Sequence, residues 1–418
     1  MYPISGDLEY LQPILNFAIL GVCVVPLGAY MAKIYQGEAT SLTPVLAWLE
    51  SAVYKVSGVA PEKGMDWKTY ALAALTFSAL SFAALYLLLV FQAAFSANDG
   101  QFSNLSPAAA FNMAASFVAN THPLMPSSGR GISPFNQMAG LTVQTFLSAG
   151  VGVSVFIAIT RGLAGNTGGT IGNFWVDLVR TILYLLVPVS LIFAALLATA
   201  GAVEALDGYA QSHLTDLAGK APVIHDEAKR LILTDSGSLM NATSGRVGDK
   251  THFAAGLVAF LSTFLIPAAL CCTFGLMLRD IRQGLVSLIA MALATALMDR
   301  FAAKLIGADA GALYYMVACL VLSAAAVKWA LGRQPSYLGR RLGGFEIAMA
   351  AIALSVPWTI IWAEVALSGA SNNAQIVGSP LLFTVVSLTG LCLRFWVMIP
   401  ALAIAGAFSS RKIGEMQT

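Results

Sequence analysis

A short apolar stretch followed by a polar loop is the part of this sequence whose residues could do chemistry. The stretch runs from Ser106, a residue type that caps helices, through Pro107 in the first helical position, to Val118. Its apolar run of about 12 residues is shorter than the roughly 20 that cross a bilayer, so we expect a half-helix. The residues that follow include Asn120, Thr121 and His122. They come at its carboxyl end, where the helix dipole favours a cation.

The segments on either side of this half-helix are long enough to cross a membrane, over residues 70–95 and 134–159. The order of span, half-helix, polar loop and span is typical of a re-entrant pore loop. Non-helical backbone at membrane depth is tolerated only where protein buries it or where it lines a watery cavity. We therefore expect the loop after the half-helix to be buried or to face such a cavity.

The composition indicates that this protein is surrounded by lipid and not by water alone. Hydrophobic residues make up 58% of the chain and charged residues 11%, where a soluble protein has about a quarter charged. We therefore predict an all-α polytopic membrane protein surrounded by lipid. The sequence has no run of Lys and Arg that would bind nucleic acid. The spacing of its five Cys and four His residues predicts neither a metal site nor a cofactor.

Hydropathy predicts about nine transmembrane helices. Their ranges are 11–31, 70–95, 134–159, 177–200 (with a kink expected at Pro188), 253–278, 283–306, 310–331, 345–367 and 381–408. Lys and Arg residues fall at alternating ends of these spans, among them Lys33, Arg161, Arg279 and Arg411. Because short cytoplasmic loops carry such residues, we expect that side to be cytoplasmic and the N-terminus to lie outside.

Three outward-facing connections, 106–130, 226–246 and 368–380, share one span–loop–span plan. The predicted units are an extra span with a polar cytoplasmic connection (1–69), repeat one (70–161), repeat two (177–282), a truncated repeat three without a pore loop (283–341) and repeat four (345–418). Repeats of this kind place a binding site at their common axis near the middle of the membrane.

Residues 137–149, QMAGLTVQTFLSA, strongly resemble the potassium-binding subunit (KdpA) of the bacterial Kdp potassium-transporting P-type ATPase. Further matching stretches follow in order at 173–180, 264–267, 282–284, 332–339 and 394–406. The resemblance implies a potassium-channel-like fold of four span–pore loop–span repeats preceded by one extra helix. The architecture read from hydropathy agrees with that fold.

The resemblance also implies a function and a set of partners. The bound ion would be potassium, with no other cofactor, and the chain itself would not be an enzyme. ATP hydrolysis would belong to a partner P-type ATPase subunit, with small accessory membrane subunits completing a complex in the bacterial inner membrane. The family's selectivity filters match several positions here, which we take as candidate ion-binding residues: Asn120, Thr121, His122, Thr234, Asp235, Ser236, Gly237, Ser238, Asn372 and Asn373.

The filter loops are where this chain departs from the family. The first loop keeps Asn120 and Thr121, the second keeps its central Gly237, and the fourth is reduced to residues 371–375. The third has no counterpart. A potassium filter is a ring of backbone carbonyls, and glycine lets the backbone aim them. We therefore expect altered or weakened ion selectivity.

Three side chains allow more than one role. Asp235 could attract a cation at the pore mouth, or be a solvated loop carboxylate or an N-cap partner. His122 could line the pore, donate a hydrogen bond behind the ion site, or sit in the outer vestibule. Arg394 lies inside an apolar span and matches a family Arg. Because charge there is costly, we expect it to pair with a helix C-terminus, backbone carbonyls or a carboxylate as a structural brace.

Two functions remain open at this point. The resemblance favours a potassium-binding and translocating subunit of a Kdp-like uptake complex. The truncated third repeat and the altered filters favour a non-conducting scaffold or assembly subunit of another membrane complex.

Overall fold

The computed structural model describes residues 5–95, 104–120, 132–133, 135–165, 168–197, 253–290, 319–321, 325, 336–338, 340–355 and 380–410. The helices are α1 (Ser5–Gln36), α2 (Thr43–Ser57), α3 (Trp67–Val90), α4 (Gln92–Phe95), α5 (Pro107–Ala119), α6 (Val143–Ala164), α7 (Phe174–Arg180), α8 (Val187–Leu197), α9 (Phe253–Met277), α10 (Ile281–Ala290), α11 (Gly344–Ser355) and α12 (Pro380–Ser410). Two π-helical segments, π1 (Asn136–Thr142) and π2 (Thr181–Leu186), continue into α6 and join α7 to α8. In the described part, strands β1 (Ser336–Tyr337) and β2 (Arg340–Arg341) form one antiparallel hairpin.

Six helical segments of the described residues are long and apolar enough to cross a membrane. They are Leu15–Gln36, Trp67–Val90, Asn136–Ala164, Phe174–Leu196, Phe260–Met277 and Ser387–Ser410. The prediction of an all-α membrane protein is therefore confirmed. The count of about nine spans and the fourfold repeat stay predictions, because residues 291–318 and 356–379 lie outside the described residues.

Local side-chain chemistry decides where several helices begin. Asp66 caps α3 by accepting a hydrogen bond from the Thr69 backbone N–H at 3.3 Å. Asn173 caps α7 in the same way through the Trp175 N–H at 3.1 Å. These caps satisfy amide groups that have no partner within the helix, and such a group is costly to leave unpaired near the apolar layer.

The α6 helix runs through the core of the bundle. Every residue from Gly150 to Thr160 is buried, and α6 contacts α3, α7, α9 and α12. Small residues allow the close crossings: a Cβ added at Gly162 would lie 2.6 Å from the Ala405 carbonyl oxygen. A Cβ at Gly28 of α1 would lie 2.7 Å from the Cβ of Cys272 in α9. Such contacts let helix backbones approach and pack without a hydrophobic driving force from the lipid.

The span that begins with α7 is irregular just before Pro188, where the sequence predicts a kink. Proline has no N–H, and its ring crowds the carbonyl four residues earlier, which here belongs to Tyr184. The helix is π-helical over Thr181–Leu186, immediately upstream. Pro188 cannot donate a hydrogen bond to the Tyr184 carbonyl, and π-helical turns are common where the regular pattern of helical hydrogen bonds is interrupted in this way.

Helix α2 is the element that the sequence reasoning did not predict. The segment between the first two spans was expected to be a polar connection, and it contains 15 helical residues instead. Pro44 stands at its first turn, and Gly58 ends it in the left-handed conformation with φ 66°. The helix therefore takes up half of the connection between α1 and α3.

Candidate functional site

The predicted half-helix is present as α5. Ser106 caps it, its Oγ accepting a hydrogen bond from the Ala109 N–H at 3.3 Å, and Pro107 is the first helical residue. Every residue from Asn112 to Ala119 is buried. Helices α3, α6 and α12 pack against it. At 13 residues it does not cross the membrane, and the surrounding spans enclose it as a re-entrant helix requires.

The carboxyl end of α5 is closed by Asn120. This residue has φ 54°, the left-handed conformation that asparagine adopts more readily than most residues. Its backbone N–H donates to the Phe117 carbonyl oxygen at 3.3 Å, and the Val118 carbonyl accepts from the Ser148 hydroxyl at 3.1 Å. The left-handed turn ends the helix here, so its negative pole lies inside the protein.

Arg394 of α12 lies beside that negative pole. Its Nη1 donates to the Ser148 Oγ at 2.6 Å, and its Nη2 donates to the Ser148 carbonyl oxygen. The same Ser148 hydroxyl then donates to the Val118 carbonyl oxygen. One hydroxyl can accept one hydrogen bond and donate another, so Ser148 links the guanidinium to the last turn of α5. A fixed positive charge therefore sits at the end of the helix that would favour a cation.

A buried amide lies further back along α5. Asn112 is 4% exposed, and among the described residues its Oδ1 has no hydrogen-bond partner. A carbonyl oxygen left in this state costs about 1–3 kcal/mol, so it is a strong acceptor for any donor that reaches it.

Of the predicted site residues, the structure places Asn120 and Arg394. The others lie outside the described residues: Thr121, His122, Thr234, Asp235, Ser236, Gly237, Ser238, Asn372 and Asn373. The predicted loops 226–246 and 368–380 lie outside as well. The structure thus joins the helices that carry Asn120 and Arg394 through Ser148, and the filter assignments stay predictions.

A second polar cluster lies at one end of the spans, and sequence reasoning did not single it out. Arg161 donates from Nη1 and Nη2 to the two carboxylate oxygens of Asp177, both at 3.1 Å. Tyr70 donates to Asp177 Oδ2 at 3.0 Å and stands on α3. Arg161 also donates to the backbone carbonyls of Ile171 (2.9 Å) and Tyr35 (3.2 Å). The bidentate pair therefore ties α1, α3, α6 and α7 together.

Gly172 makes room for this pair. Its φ is +118°, and an added Cβ would lie 1.8 Å from the Arg161 Nη1. No side chain fits there without moving the guanidinium. The signal available in the sequence was an Arg at one span end and an Asp at the next span start, but only folding shows that they meet.

Glu50 of α2 forms a third polar contact set. Its Oε1 accepts from the Arg180 Nε at 2.9 Å and from the Tyr54 hydroxyl at 2.8 Å, and its Oε2 accepts from the Tyr184 hydroxyl at 2.7 Å. Burial raises the pKa of the Glu50 carboxyl, but these three hydrogen bonds and the Arg180 charge outweigh it. The pKa is therefore below its ordinary value.

A metal centre has no support among the described residues, because no three His, Cys, Asp or Glu side chains there converge. The arrangement at α5 is that of a buried helix end with a neighbouring cationic brace.

Comparison with known proteins finds one family and several relatives that match most of this chain. The model of one family, KdpA, described as the potassium-transporting ATPase A subunit, matches residues 14–309. The chain belongs to the KdpA family. A KdpA relative from Sorangium cellulosum (strain So ce56), named potassium-transporting ATPase potassium-binding subunit, is 30% identical. That alignment covers 96% of this chain and 91% of the relative.

Two further KdpA relatives carry the same name. The protein from Herpetosiphon aurantiacus is 28% identical, over 94% of this chain and 89% of its own length. The protein from Geobacter sulfurreducens is 37% identical over 66% of this chain and 52% of its own length. The alignment with the Sorangium relative extends over 526 positions, although this chain has 418 residues. That relative therefore has internal segments without a counterpart here.

Proposed function

We propose that this chain is the potassium-binding, channel-like subunit of an ATP-driven, Kdp-like potassium-uptake complex. The observation that carries the proposal is the alignment over 96% of the chain with a protein named as such a subunit. The buried half-helix α5 supports it, since its carboxyl end at Asn120 is where a dipole stabilises a dehydrated cation.

The ion path in this proposal begins outside the cell. Cations enter a vestibule around Asn120, Thr121, the 234–238 loop and Asn372–Asn373, with Asp235 attracting them and His122 beside them. Only some filter positions keep the family's residues, and one of four loops has no counterpart. A carbonyl ring built from fewer loops replaces less of the hydration shell, so selectivity is altered or weakened.

The proposed architecture is the one predicted from hydropathy. About nine spans form an extra N-terminal segment (1–69) and four units, of which the third (283–341) is truncated. Two facts support the truncation: the family match ends at residue 309, and the aligned relatives have segments that this chain lacks. The chain lies in the bacterial inner membrane with its N-terminus outside.

The partners follow from the same proposal. A P-type ATPase subunit hydrolyses ATP and small accessory membrane subunits complete the complex, while this chain binds potassium and performs no catalysis. Arg394 acts as a structural brace, because its hydrogen bonds go to Ser148 on α6 and through it to α5.

The test is rubidium or potassium uptake by the complex purified with all its subunits and reconstituted in vesicles. We expect ATP-dependent uptake that Asn120→Ala and Asn120→Gly both reduce at least tenfold if the amide side chain contributes to the ion site. Asn120→Gly is the matched variant, because glycine keeps the left-handed turn while alanine strains it.

Two results would contradict the proposal. One is absence of uptake with every subunit present and ATP hydrolysed. The other is a native complex that contains no ATPase subunit, which would favour the scaffold function instead. Uptake retained in Asn120→Gly alone would assign Asn120 a conformational role and leave the transport function standing.

A further inference from the structure

Helix α2 has two different faces. Its inward face carries Glu50 and Tyr54, and Leu46 packs against the main core. Its outward face carries Val45 and Trp48, which are 63% and 69% exposed. No residue of α2 is buried, and no other described element covers the outward face. A helix with this division of apolar and polar residues is typical of a surface that meets another phase.

The rotation of α2 about its axis is determined by Glu50. The carboxylate accepts hydrogen bonds from Arg180 and Tyr184, which stand on successive turns of one span, and from Tyr54 of α2 itself. These contacts hold Glu50 against the bundle. Residues on the opposite side of a helix then point away from the bundle, so Val45, Trp48 and Val56 are turned outward.

The depth of α2 follows from its neighbours. The α1 span ends at Gln36, and the hydroxyl of Tyr35 lies 2.8 Å from the Thr181 Oγ1. Thr181 is the eighth residue of the span Phe174–Leu196, so this level lies near the end of the α1 span but inside the second span. Glu50 is bonded to Arg180 and Tyr184, the residues on either side of that level. Helix α2 thus lies beside the last turns of the α1 span and the first turns of the span that begins with α7, rather than beyond them.

The two charged residues of α2 are divided between its faces. Glu50 is paired inward with Arg180, whereas Lys55 is exposed on the outward side, two turns from Trp48. Tryptophan is enriched at the boundary between headgroups and acyl chains. Lysine there places its stem along apolar surface and its ammonium among phosphates. The outward face therefore offers apolar area and one positive charge, with no exposed carboxylate on the helix.

We propose that α2 is an interfacial helix that binds anionic phospholipid in the leaflet at the Arg161–Arg180 end of the spans. Val45, Trp48 and Val56 contact the glycerol and upper acyl region, and the Lys55 ammonium contacts the lipid phosphate. This inference rests on the position and contacts of α2 and holds whichever ion the chain binds. A protein subunit that covered the same face would exclude lipid from Trp48, and the experiment distinguishes the two.

The experiment uses the full chain, purified with its partner subunits, in vesicles of phosphatidylcholine and phosphatidylglycerol. Bromine atoms, which quench tryptophan, are placed at acyl carbons 6 and 7 of one lipid or of the other. The Trp48 emission is the difference between wild type and Trp48→Phe. We expect it to be quenched by both lipids. The brominated anionic lipid should be favoured up to about fivefold, the ratio that about 1 kcal/mol per basic side chain gives.

Two lysine variants test whether the charge of Lys55 causes the preference for anionic lipid. Lys55→Gln is expected to keep the quenching and to remove the preference for the anionic lipid. Lys63→Gln, an exposed lysine in the loop after α2, is the matched control and should keep both. A Trp48 emission that neither lipid quenches would overturn the proposal, since water or a subunit would then cover the face. Equal quenching by the two lipids in wild type would overturn the preference for anionic lipid that the proposal assigns to Lys55.

Discussion

The α6 span holds positive charge in two different ways, at one end and near its middle. At one end Arg161 forms a bidentate pair with the Asp177 carboxylate, which is itself bonded by Tyr70. Near the middle of the span, Arg394 is bonded to a hydroxyl and a backbone carbonyl of Ser148, both of which are neutral. A charge paired with a carboxylate has little field left, whereas a charge held by neutral groups still acts on its surroundings.

This difference distinguishes a cluster that stabilises the fold from residues that lie beside the proposed ion site. The Arg161 cluster holds four helices in place and is satisfied internally, so changing it should alter stability. Arg394 and Ser148 lie against the last turn of α5, where the proposed cation would be stabilised. Changes there should alter ion affinity or selectivity as well. The predictions below test that division, beginning with the largest effect.

The largest effect is expected for Asp177→Ala. It leaves Arg161 as an unpaired charge whose side chain is only 19% exposed, so the free energy of unfolding should fall by about 3–5 kcal/mol. The measurement is thermal and denaturant unfolding of the purified chain in detergent. The double variant Arg161→Leu with Asp177→Leu should lose less than the sum of the two single leucine variants. Additive losses would show that the pair is not coupled.

The next effect concerns the room that Gly172 leaves. Gly172→Ala adds a Cβ that would overlap Arg161, and we expect a loss of about 2–3 kcal/mol in the free energy of unfolding. Gly169→Ala is the matched control. Its φ of +94° is also left-handed, but a Cβ there meets nothing within 4 Å, so it should lose only about 1 kcal/mol. Equal losses would mean that backbone strain alone acts at Gly172.

A smaller effect on stability, with an effect on transport, is expected for Ser148→Ala. The variant removes the hydroxyl between Arg394 and the Val118 carbonyl, a loss of about 1–2 kcal/mol. Ser78→Ala is the control, since among the described residues that hydroxyl bonds only the Ala74 carbonyl of its own helix, and its loss should be near neutral. Rubidium uptake should change in Ser148→Ala and stay unchanged in Ser78→Ala. Unchanged uptake in both would contradict the distinction between the Arg161 cluster and the Arg394–Ser148 contact.

The smallest effect is the pH dependence contributed by Glu50. Its pKa is lowered in the folded protein, so it adds stability above its unfolded pKa of about 4.5. That contribution disappears as the pH falls through the lower folded pKa. Because the carboxyl is partly exposed, we expect less than about 1 kcal/mol.

The measurement for Glu50 is the unfolding temperature between pH 6 and pH 3.5 for wild type, Glu50→Gln and the exposed control Glu62→Gln. Glu50→Gln should be less stable at pH 6 and approach wild type at pH 3.5, while Glu62→Gln follows wild type throughout. If the difference in unfolding temperature between wild type and Glu50→Gln stayed constant with pH, the charge of Glu50 would not explain its contribution to stability.

The amino-acid sequence by itself determined the half-helix and the spans that the structure describes. The predicted span 381–408 is found within Pro380–Ser410, and the expected half-helix after Ser106 is α5. These features follow from the hydrophobicity of each residue and from local helix capping. Both depend on neighbours in the chain, so they can be read without a fold. Asn120 at the end of α5 could be predicted for the same reason.

Only the tertiary structure decided which polar groups meet. Arg394 was expected to need a polar partner, but Ser148 lies 246 positions away, and nothing in its local sequence distinguishes it from other serines in apolar spans. The meeting of Arg161, Asp177 and Tyr70, and the orientation of α2 by Glu50, arise in the same way. Such pairings depend on which helices pack side by side and at what height, and hydropathy carries no information about either.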